Sequence, residues 1–88
     1  MSEWILDLIN RNKYAEVRNM LIEMNVVDIA QIVEEIDKDK LLILFRILPK
    51  EMAAGVFSYI PSELQEFIVE SITDKEIKNI IDTLFLDD

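Results

Sequence analysis

The sequence predicts an all-α fold: a compact superhelix, or solenoid, of about seven short helices built on a 12-residue repeat. Three observations predict it. Apolar residues make up 51% of the 88 residues while Gly occurs once and Pro twice, so the chain can bury an interior and has little material for long loops. Apolar pairs recur at a spacing of twelve: Met20-Leu21, Ile32-Val33, Leu44-Phe45, Val56-Phe57, Ile68-Val69 and Ile80-Ile81. Around the pairs the apolar positions stand at i, i+3, i+4 and i+7, one face of an α-helix, with Gln65 the exception. One long helix cannot carry this repeat, because twelve residues rotate the stripe by roughly 120° per unit. The chain must break between units, and the shared apolar faces of neighbouring helices must supply the stability that two or three turns lack alone.

The first helix is expected over 3–11, where Ile5 and Leu8-Ile9 extend the pattern backwards by one unit. The second, over 13–24, sets Val17, Met20-Leu21 and Met24 on the repeat face. Trp4 and Tyr14, at the first helix and its junction, are suited to covering the open end of the stack. A third helix over 26–36 carries Ile29, Ile32-Val33 and Ile36. A fourth, over 38–48, carries Leu41, Leu44-Phe45 and Leu48, with Asp37 offered as its cap. Pro49 and Pro61 occupy equivalent places and open the fifth and sixth helices, over 50–60 and 62–72; proline suits a first turn and stops the preceding helix. Leu48 and Ile60, each lying before a proline, are pushed out of the α region. Ser62-Glu63-Leu64-Gln65 and Thr73-Asp74-Lys75-Glu76 read as capping boxes, the second opening a seventh helix over 74–84. Met20, Met24 and Met52 read as core fillers. Gly55, inside the fifth helix, costs about 1 kcal/mol against Ala, which close approach of another helix would explain.

Composition excludes several functions. There is no Cys and no His, so thiolate or imidazole metal sites and most nucleophilic triads cannot be built. An enzyme is not expected. A carboxylate-based hydrolase is the weakest alternative, for want of any pocket signature. The longest apolar run, Leu41–Phe45, is far too short for a membrane span, and the first residues lack a secretory signal, so a cytoplasmic address is expected. Net charge is −9, and residues 51–88 carry nine acids against only Lys75 and Lys78. Such a field repels nucleic acid and attracts cations or a basic partner. Glu63, Glu66 and Glu70 share a helical face, which is ordinarily a solvated outer face and alternatively a metal or partner site. Asp87 and Asp88 follow Phe85-Leu86 where an eighth unit would begin, either as a cap or as metal ligands.

The stretches Val26–Ile36, Leu48-Pro49-Lys50-Glu51-Met52-Ala53-Ala54 and Leu84-Phe85-Leu86-Asp87-Asp88, in this order and spacing, resemble the amino-terminal domain of MgtE-type magnesium transporters. The resemblance covers about residues 5–88. It implies a superhelical domain on the cytoplasmic side of the cell membrane, followed in the parent chain by CBS modules and a transmembrane pore, so that 1–88 would be one domain of a longer, homodimeric protein. It also implies the mechanism: intracellular Mg²⁺ binds with low affinity to acidic residues between this domain and the CBS domains, cancels their repulsion and closes the pore. Carried over by position, Asp87 and Asp88 match the acidic pair facing the CBS half. Where the family often has an acid after the two alanines, this chain has Gly55. The alternative is a helical-repeat interaction scaffold, similar in pattern to a flagellar motor switch module.

Overall fold

The computed structural model describes residues 3–75 together with 78 and 79. Among these, six α-helices follow one another with short breaks: α1 (Glu3–Asn10), α2 (Tyr14–Leu21), α3 (Val26–Glu35), α4 (Lys38–Ile47), α5 (Lys50–Tyr59) and α6 (Ser62–Thr73). The fold is all-α and compact, with a radius of gyration of 12.1 Å, close to the ~12 Å expected of one globular domain of this length. The helix expected over 74–84 lies mostly outside the described residues.

The twelve-residue period is written into the backbone hydrogen bonds. The first bond of each successive helix is accepted by the carbonyl of Lys13, Asn25, Asp37, Pro49 and Pro61, from the amides of Val17, Ile29, Leu41, Ala53 and Gln65. Before three of these positions the chain is extended, with ψ of 163° at Ile36, 141° at Leu48 and 157° at Ile60. Proline explains the last two, since its ring disfavours the α region for the residue before it. Both prolines stand at the N-cap, where their missing N–H leaves no bond unmade.

Other breaks use different chemistry. After α1, Asn12 takes φ 59°, the left-handed region in which Asn is enriched. The amides of Lys13 and Asn12 bond back to the carbonyls of Leu8 and Ile9, which is the Schellman ending of a helix. The Tyr14 hydroxyl donates to Asn12 Oδ1 at 3.0 Å and holds the turn. At α3 the Asn25 side chain caps the helix, accepting from the Asp28 amide at 3.0 Å.

Three caps expected from sequence are made differently. Asp37 occupies the N-cap of α4, but its side chain makes no capping bond. Ser62 cannot cap α6 because Pro61 already holds the N-cap, and Gln65 turns away from the box to donate to the Phe57 carbonyl at 2.7 Å. Thr73 belongs to α6 itself. Its hydroxyl donates to the Val69 and Glu70 carbonyls, 3.2 and 2.9 Å away, so α6 runs on through Thr73 and the next helical bond is accepted one residue late, by Asp74 from Lys78.

The core is the repeat face. Ile5, Val17, Leu21, Ile29, Ile32, Val33, Leu41, Leu44 and Val56 are essentially inaccessible to solvent, and Tyr14, Ile36, Leu48, Ile60 and Ile68 join them. Trp4, Met24 and Met52 pack partly buried against this cluster. Met20 is not a core filler. It is 47% exposed, as Val69 is at 49% and Ile72 at 65%. The most extensive helix pairing is α3 with α5, followed by α1 with α2 and α2 with α4. Packing therefore skips a helix at two of three places.

Gly55 sits in the α3–α5 contact. A Cβ built there would lie 3.0 Å from Val26 Cγ1, inside the ~3.5–4.0 Å optimum for two carbons, so the close approach that accounts for a mid-helix glycine is present.

Candidate functional site

Two surfaces follow from this packing. The first is acidic. Because α6 turns Leu64, Phe67 and Ile68 inward, its 3.6-residue period leaves Glu63, Glu66 and Glu70 exposed. No cation among the described residues pairs with these three; the ion pairs Asp7–Arg11 (3.4 Å) and Asp39–Lys40 (3.9 Å) lie on other elements. Their charges therefore project into solvent, where a diffusible cation or a basic surface meets them without first displacing a partner.

Among the described residues, no three His, Cys, Asp or Glu side chains come together as a metal-holding group. The acids of α6 are exposed on the side of the helix away from Leu64, Phe67 and Ile68. Asp87 and Asp88, the sequence-predicted metal ligands, lie outside the described residues. At Gly55, where the resemblance places an acid in related chains, the backbone faces Val26 across the α3–α5 contact, so this chain contributes packing there and no carboxylate.

The second surface is apolar and was not foreseen from sequence. Between α4 and α6 a groove of about 640 Å³ is walled by Leu42, Phe45, Ile68 and Ile72, with Arg46 and Lys78 among its borders. Ser71, the buried polar residue of the helices, lies in its lining. At the start of α4 the two helices are joined by Lys38, whose ammonium stands 5.1 Å from the centre of the Phe67 ring. The repeat did mark Leu42's neighbour Leu41, Phe45, Ile68 and Ile72 as apolar positions. It could not tell that α4 and α6 meet less extensively than the α2–α4 and α3–α5 pairs.

No described helix is long and apolar enough to cross a membrane. Comparison with curated proteins and with solved structures gives no match. Comparison with family models does: residues 24–88, well over half of the chain, match the MgtE intracellular N domain. The chain therefore belongs to that family, the N-terminal domains of MgtE-type magnesium transporters.

Proposed function

We propose that this chain is the regulatory, magnesium-sensing domain of a magnesium transporter, acting on the cytoplasmic side of the cell membrane without catalysing a reaction. The observation that carries the reading is the concentration of acid in its C-terminal part, nine carboxylates against two lysines over residues 51–88, in a chain of the MgtE N-domain family.

The physics of the ion fits such a surface. Mg²⁺ takes oxygen ligands in octahedral geometry, sheds water reluctantly, and is commonly held by one or two carboxylates with the rest of its shell aqueous. An exposed acidic face such as that of α6 suits weak, mostly water-mediated binding. Asp87 and Asp88 are the residues proposed to hold the ion, with the remaining acceptors supplied by CBS domains of the same parent chain. Two acidic surfaces repel when brought together. A divalent ion placed between them reverses the sign of that interaction, so docking of this domain on its CBS partner, and with it closure of the pore, follows cytosolic Mg²⁺. A homodimeric parent protein would carry two such domains.

Amide NMR of the ¹⁵N-labelled chain tests the reading. Titration with Mg²⁺ is expected to shift signals of Asp87, Asp88 and the acidic face of α6 more than NaCl at matched ionic strength. Indistinguishable shifts in the two titrations would count against magnesium sensing and in favour of a helical scaffold whose interactions ignore divalent ions.

A further inference from the structure

We draw no further inference here: the strongest candidate, the apolar groove between α4 and α6 walled by Leu42, Phe45, Ile68 and Ile72, borders a segment that lies mostly outside the described residues, and nothing in the structure shows what covers it.

Discussion

Replacing Gly55 by Ala pits a local gain against a tertiary cost. In the middle of α5, Ala is favoured over Gly by about 1 kcal/mol, since Gly loses more backbone freedom on folding. The added methyl, however, arrives 3.0 Å from Val26 Cγ1. That is roughly 0.5–1 Å inside the preferred carbon separation, and overpacking of this kind costs about 1–3 kcal/mol. Val26 has no easy retreat: it is β-branched, opens α3 and is partly buried against the core. G55A should therefore be neutral to destabilising by about 2 kcal/mol, which lowers Tm by up to roughly 8–16 °C for a domain of this size. The decisive background is Val26→Ala. There both Cγ atoms are gone and the nearest remaining atom, Cβ, is 3.5 Å away, an ordinary contact. In that background G55A should stabilise by the full propensity term, about 1 kcal/mol. A double-mutant cycle by urea denaturation should thus return a coupling of about 1–3 kcal/mol. Equal stabilisation by G55A in both backgrounds would show that α3 and α5 do not approach as described, and that the glycine has some other origin.

Two further substitutions examine the breaks. Asn25→Ala removes the acceptor of the Asp28 amide and should cost about 0.5–2 kcal/mol in denaturant melts, whereas Asn25→Asp should keep most of the stability. Gln65→Glu replaces the donor to the Phe57 carbonyl by an ionised acceptor and should cost about 1–3 kcal/mol at neutral pH. Facing a carbonyl raises the folded-state pKa of that carboxyl, so the loss should be recovered as pH falls and the group regains a proton to donate; Gln65→Met, with no proton to regain, should show no such recovery.

Much of the fold was legible because one cause acts in each of the six described helices. Each unit must place four apolar residues on one side and then change direction, and both demands are local, so the expected helices over 3–11 to 62–72 begin at or within a residue of α1 to α6. What failed was what depends on neighbours in space. The Ser62–Gln65 spacing is right for a capping box, but the Phe57 carbonyl, eight residues earlier in the chain, competes for the Gln65 amide. Thr73 has the chemistry of a cap, yet its hydroxyl also satisfies the helix it ends. The Asn25 cap carries a readable signal, an Asn just before an apolar periodic run. For the candidate site, the acidic face of α6 follows from spacing alone. The apolar groove does not, because how closely α4 meets α6 is a property of the stack.

The alternation of partners, α2 with α4 and α3 with α5, has a consequence for how strain is shared. In an array where each unit touches only the next, the layers can part at any one seam. Here the two pairings cross: the chain between α3 and α4 is spanned both by α2–α4 and by α3–α5, like stitches overlapping on one hem. No cut at that point leaves two blocks with closed surfaces, and a load applied to either end is carried past the break by two interfaces at once. A domain stitched in this way is equipped to move as one piece.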